Sequence, residues 1–314
     1  MDEAAVAARR MWTLFEPVHV VTYFGAEALA AFEQAGLRGF WRGYFAGRTA
    51  PVGPVGAAPV VATFFNFAPA MVARALPAVW DLITPAAALQ VRQAGAVASL
   101  RRLLGLAGDD DVPEPVATAA DLLAGVAASA GAAGRVLGAA NLALPVPGEP
   151  LARLWHAATV LREHRGDGHV AALVAADIDG AEALALRAGV DQAAGIDQAA
   201  GIDQAGGGNG VVRTGWTRAQ MQPVRGWTDE QWDAAAARLT GRGLLLPGGM
   251  ASSAGQELHR EIERATDVAA ARPWAALPAG RTDQLSGLLL PVARACAATL
   301  PYPNPVGVPA PAAS

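Results

Sequence analysis

Lysine is absent from the 314-residue chain, and all 24 of its basic residues are arginine. Schiff-base and pyridoxal-phosphate (PLP) chemistry each need a lysine amine, and a Walker-type P-loop nucleotide site needs Gly-Lys-Ser/Thr. All three are excluded. Cysteine is nearly absent too. Cys296 is the only one, which rules out an internal disulfide, a four-cysteine zinc site and a C-x-x-C redox pair. A reducing, cytoplasmic setting is expected, because MDEAAVAARR also lacks the basic-then-apolar order of a secretory leader. Charge is sparse at 17%, and the net charge of −4 gives no general attraction to nucleic acid or anionic lipid. Residues 49–73 carry no charge, yet Pro51, Pro54, Pro59, Pro69 and Asn66 would break a spanning helix. They read as buried helices behind a proline-rich loop, and no membrane partner is expected. No G-x-S-x-G, H-E-x-x-H or G-x-G-x-x-G occurs.

What is present is apolar and helical. The chain is 53% hydrophobic, rich in Ala, Leu, Arg, Glu and Gln, with almost no strand-like alternation. A first helix spans about 4–16 and is bent or interrupted at Pro17. Others cover 25–35, 38–46, 85–104, 115–130, 132–141, 150–164 and 169–188. Asp109, Asp110 and Asp111 with Pro113 and Pro115 form an acidic connection. The hexads GVDQAA, GIDQAA and GIDQAG, followed by GGGNG, read as a flexible linker over 187–213 bearing Asp191, Asp197 and Asp203. This divides the chain into a helical domain, 1–186, with a candidate ligand pocket, and a second domain, 214–314, with a C-terminal helix and Pro-rich tail. In the second domain Thr228 and Gln231 have capping-box spacing, as do Ser253 and Gln256. The segment LLLPGGM between the two helices suits a short hairpin. The expected fold class is therefore all-α, mostly helical, with a C-terminal winged-helix-like module containing one small β-hairpin.

Four stretches carry a family resemblance: MWTLFEPVHVVTYF at 11–24, LWHAATVLREHRGDGHVAALVAADIDGAEAL at 154–184, RGWTDEQWDAAAARLTGRGLL at 225–245 and PYPNPVG at 301–307. Together they resemble an actinobacterial group of SalK-like or helix-turn-helix family proteins. The resemblance implies a predominantly helical fold with a winged-helix-like module and, for some members, a setting in secondary metabolism. It implies no reaction. The hexad insertion departs from the pattern.

Charge bears on what the module could bind. Residues 214–275 hold seven arginines and seven acids, and Asp229, Glu230 and Asp233 occupy the N-terminal half of the helix that would read DNA. A neutral module disfavours DNA as a partner, although Arg225, Arg238 and Arg242 could meet a few phosphates.

In the first domain Glu16 and His19 stand at i, i+3, and His164, Asp167 and His169 flank a Gly-containing break. Glu16, His19, His164 and His169 are one candidate set for a divalent metal of the Zn, Fe or Mn type. Without metal, His19 or His164 would exchange protons as catalytic groups, oriented by Glu16 or Asp167. Arg162 or Arg165 would hold an anion, and Tyr23, Asn66 and His169 complete the candidate ligand-binding set. Each has a structural alternative: Asp167 as a helix cap, Arg162, Glu163 and Arg165 as a helix-end ion group. Twelve aromatic residues crowd positions 12–67, suited to core packing or to lining a pocket for a flat ligand.

The leading reading is a homodimeric protein binding a small apolar metabolite, extended to a cofactor-independent or metal-assisted tailoring enzyme. The alternative is a ligand-responsive winged helix-turn-helix transcriptional regulator.

Overall fold

The computed structural model of the chain describes residues 3–107, 111–205, 215–275, 277–278 and 280–309, with side chains for all of these except 196–205. Asp109, Asp110, the GGGNG segment and the side chains of Asp197 and Asp203 lie outside the described residues. Helices account for the architecture: α1 (Glu3–Phe24), α2 (Ala26–Gln34), α3 (Phe40–Thr49), α4 (Ala57–Phe64), α5 (Pro69–Ala73), α6 (Pro85–Leu103), α7 (Glu114–Ala128), α8 (Val136–Leu142), α9 (Pro150–Ala175), α10 (Gly180–Ala205), α11 (Arg218–Arg225), α12 (Asp229–Gly241), α13 (Ser253–Ala269), α14 (Arg272–Ala275) and α15 (Arg281–Ala297).

Local chemistry explains the helix starts. Thr84 Oγ1 accepts from Ala87 N at 3.2 Å with Pro85 at the first helical position, and Glu149 Oε2 accepts from Ala152 N at 2.6 Å before Pro150. Thr228 and Gln231 form the reciprocal capping box. The α13 cap is Ser252, one residue before the expected position, accepting from Gly255 N at 3.1 Å. Three long helices outrun their expected ends. Helix α1 continues through Pro17, burying Val18, Val20 and Val21. Helix α9 continues through Gly166 and Gly168. Gly168 serves packing rather than termination, because a Cβ there would strike the Arg135 guanidinium and come within 3.0 Å of Ala269. Helix α10 carries the hexad repeat as far as Ala205.

Three apolar clusters set the layers. In the first, α9 lies against α1, α6 and α7, and α15 returns from the far end of the chain onto α1 and α7. Met11, Phe15, Leu123, Leu151, Trp155 and Leu289 are buried there. The second gathers Phe32, Phe45, Phe64 and Phe67 from α2–α4 and the following loop. The third packs α10–α13 through Leu184, Leu186, Met221, Trp232, Leu239 and Ile262. Among the described residues, no single helix is long and apolar enough to cross a membrane.

The expected β-hairpin does not form. Among the described residues there is no strand, and the segment at 244–251 makes one isolated bridge, Leu245 to Ala251. Two physical causes are visible. Gly248 and Gly249, both at positive φ, close the chain into a tight loop with Leu246 N to Met250 O at 2.8 Å. Ser252 N bonds across the loop to Leu244 O at 3.0 Å, but its side chain already caps α13, so the pairing stops at that residue, and Ala251 N points outward to Gly189 O of α10 at 3.0 Å. Leu244 and Leu245 are both buried in succession, the opposite of the alternation a strand requires.

Candidate functional site

A cavity of about 1150 Å³ opens between α1, α3 and α9 on one side and α10, α11 and α13 on the other, with residues 301–309 along its rim. This is slightly above the usual range for small-molecule sites, about 300–1,000 Å³. One wall is aromatic. Phe40, Trp41, Tyr44, Phe64 and Phe67 line it, with Tyr44 packed 4.8 Å from Tyr23 and 5.6 Å from Phe67 between ring centroids.

A buried ion chain crosses behind that wall. Arg48 forks onto Glu163 and donates through Nη1 to Tyr44 Oη at 3.0 Å. Arg162 Nη1 donates to Glu163 Oε2 at 2.9 Å, and Arg162 Nε reaches Glu16 Oε1 at 3.3 Å. Trp12 Nε1 completes the chain on Glu16 Oε2 at 3.1 Å. The two carboxylates respond differently. Burial opposes ionisation of Glu163, but Arg162 and Arg48 hold its carboxyl well below the usual carboxylate range. Burial raises the Glu16 carboxyl, and its one arginine only partly offsets this.

A second charged group closes the other end. Arg9 Nε donates to Asp267 Oδ2 at 3.0 Å, Arg165 Nη1 donates to Asp267 Oδ1 at 2.7 Å, and Arg9 also pairs with Glu263 at 2.5 Å. Despite burial, His169 and Arg9 hold Glu263 at about 2. His169 Nδ1 lies 2.9 Å from Thr266 Oγ1, and burial lowers its imidazole from the ordinary value.

Of the residues singled out from sequence, Glu16, Tyr23, Asn66, Arg162, Arg165 and His169 line this cavity. His19, His164 and Asp167 do not. His19 is fully buried against Thr159 Oγ1 at 3.0 Å, and burial keeps its ring neutral. His164 packs against Gly138, and burial together with Arg135 lowers its ring to about 4. Asp167 accepts from Gly138 N at 2.8 Å in the first turn of α8, so it caps a helix other than its own. The four residues offered as metal ligands are not assembled. Among the described residues, no group of three or more His, Cys, Asp or Glu could hold a metal ion. Sequence reasoning missed Arg48; Tyr44 was one of the aromatics suited to core or pocket, and Arg225 was read as a possible phosphate contact, not as a residue of this cavity. The one available signal was Tyr44 and Arg48 at i, i+4, bordering the charge-free stretch.

Helices α11 and α12, joined by Gly226-Trp227-Thr228, make a helix-turn-helix arrangement. Its turn is tied to the aromatic wall: Ala68 N donates to Arg225 O at 2.8 Å and Trp227 Nε1 to Asn66 O at 3.0 Å. Asp229, Glu230 and Asp233 face solvent. Arg218 is held by Asp229 and Asp233, and Arg238 by Asp179 and Glu182.

The profile described as "Helix-turn-helix family" matches residues 8–303, and the chain belongs to that family. No curated protein and no solved structure matches it.

Proposed function

We propose that this helix-turn-helix family member is a ligand-responsive regulator, in which a small, largely apolar molecule in the cavity sets the position of α11 and its turn. One observation carries the reading. Met221, Val224 and Arg225 of α11 form part of the cavity wall, so a ligand there touches α11 directly and couples to helix-turn-helix geometry by binding one position of that helix better than another. The regulated partner is DNA, bound by a homodimer whose two modules meet successive grooves. The solvent-facing acids of α12 make specific demands on this reading. With Arg218 and Arg238 engaged by carboxylates, the module offers few phosphate contacts, so non-specific retention is weak and its salt dependence shallow. SalK-like membership and a role in secondary metabolism belong to the same reading.

The test is retention of fragmented genomic DNA by the full chain at low ionic strength, alongside native mass spectrometry of the purified protein. A discrete retained set of fragments together with a bound small molecule supports the reading. Passage of all DNA at low salt overturns it.

A second reading, a tailoring enzyme acting on an apolar metabolite, is favoured by Glu16, whose carboxyl is raised by burial and lines the cavity. In that reading Glu16 transfers the proton. Trp12 Nε1 and Arg162 Nε hold the carboxylate in place. Loss of substrate turnover in Glu16→Gln with ligand binding retained is the expected outcome, and unchanged turnover removes this reading.

A further inference from the structure

The cavity wall holds Arg9, Arg48, Arg162, Arg165, Arg187 and Arg225. Five of the six sit on carboxylates: Arg9 and Arg165 on Asp267, Arg48 and Arg162 on Glu163, Arg187 on Asp191. Among the described residues, Arg225 has no carboxylate partner. Its guanidinium donates through Nη2 to the Pro305 carbonyl at 3.0 Å and lies over the Phe67 ring, 4.6 Å from the centroid. The half-buried guanidinium offers five N–H donors, and one carbonyl takes only one of them. Burial lowers its pKa from the ordinary arginine value, with Arg48 and Arg162 adding repulsion. Trp216 Nε1, buried and on a residue of the wall, has no hydrogen-bond partner among the described residues. Among the described residues, the cavity therefore pairs an aromatic wall with one cation lacking a carboxylate and one unsatisfied neutral donor.

We propose that the cavity selects a flat, apolar small molecule bearing a single negative group, with Arg225 as its counter-ion. The inference rests on the reading of the cavity as a ligand site and adds the chemistry of the ligand. Planar rings stack on the part-exposed Trp41 and Tyr44, and the anion occupies the open side of the Arg225 fork. Arg225 ends α11 and its carbonyl holds Ala68, so the anion would engage the residue that anchors the helix-turn-helix to the aromatic wall.

Two probes that share one ring frame test this on the full chain: 1-anilinonaphthalene-8-sulfonate, an anion, and neutral N-phenyl-1-naphthylamine. The wild-type protein is expected to bind the sulfonate roughly tenfold or more tightly than the neutral probe. Arg225→Met loses about that factor for the sulfonate and leaves the neutral probe within about twofold, whereas Arg225→Lys keeps most of the preference. A thermal melt of each variant checks folding. If Arg225→Met does not fold, the wild-type ratio and Arg225→Lys decide the matter. Equal affinities for the two probes, or unchanged sulfonate binding by Arg225→Met, overturn the counter-ion role while leaving the cavity a ligand site. Loss of both probes by a folded Arg225→Met also overturns that role. Failure of the wild-type protein to bind either probe overturns the ligand-site reading itself.

Discussion

Arg48 meets Glu163 at two points, Nε to Oε1 at 2.9 Å and Nη2 to Oε2 at 3.0 Å, across 115 positions of sequence. Both side chains are buried, and Arg162 shares the same carboxylate. Removing one partner of such a group strands the others. Glu163→Gln is expected to lower unfolding stability by about 3–5 kcal/mol, read by urea denaturation at pH 7. The pH dependence has a definite sign. The folded carboxyl titrates lower than the unfolded one, so the unfolded state binds the proton first. The contribution is present above the unfolded carboxylate pKa of about 4.3 and is lost as pH falls further. The variant should therefore approach the wild type below pH 4.

Asp167 predicts the opposite slope. Burial raises its carboxyl to about 6, even with Gly138 N donating to it. Its folded form keeps a proton that the unfolded form gives up near pH 4, so its contribution is full at low pH and is lost between about pH 4 and 6. Asp167→Asn keeps an acceptor for Gly138 N and removes the charge. Relative to the wild type, the variant should gain up to about 3 kcal/mol on going from pH 4 to pH 7. Equal differences at the two pH values in urea titrations would contradict this.

Gly226 joins α11 to α12 at φ +77°, and a Cβ there would lie 2.6 Å from the Met71 side chain. Gly226→Ala therefore meets both left-handed strain and a steric clash, together costing about 1–3 kcal/mol. The loss should fall on the turn: amide exchange at Trp227 and Thr228 should accelerate more than exchange in α7 or α9.

Cys296 is wholly buried in α15, and burial pushes its thiol up to about 12. At pH 7 its thiolate fraction falls on the order of a thousandfold below that of an exposed cysteine. Modification by a thiol reagent should therefore follow unfolding of the α1–α15 bundle. Rapid labelling in native buffer would exclude this packing.

Helical content, the capping box at Thr228 and Gln231 and the apolar faces were legible in the sequence because they rest on contacts within a few residues. Asp167 shows where local reading stops. Its spacing suggests a cap for the following turn, but the donor it meets is on α8, 29 positions away. Gly166 and Gly168 read as a helix break because propensity is local, while the packing of Arg135 and Ala269 against α9 is not. The hairpin at 244–251 stops at a single bridge because its arms run straight into helices: Leu244 N bonds back to Leu239 O of α12, and Ser252 already caps α13. Tyr23, Asn66 and Arg162 could be picked out as polar groups in apolar runs, but their shared cavity depends on α9 crossing α1. Arg225 was legible as a possible phosphate contact, but its place in the cavity wall, without a carboxylate among the described residues, was not.

The cavity wall begins at Arg9 and ends at Pro309, with contributions from the helices between. A molecule seated there would bridge positions 300 apart in the chain. No route of unfolding that frees either end could keep it bound. Occupancy would then raise the melting temperature of the whole chain by mass action, with no separate local transition. A thermal-shift screen would report any true ligand through the stability of helices that never touch it.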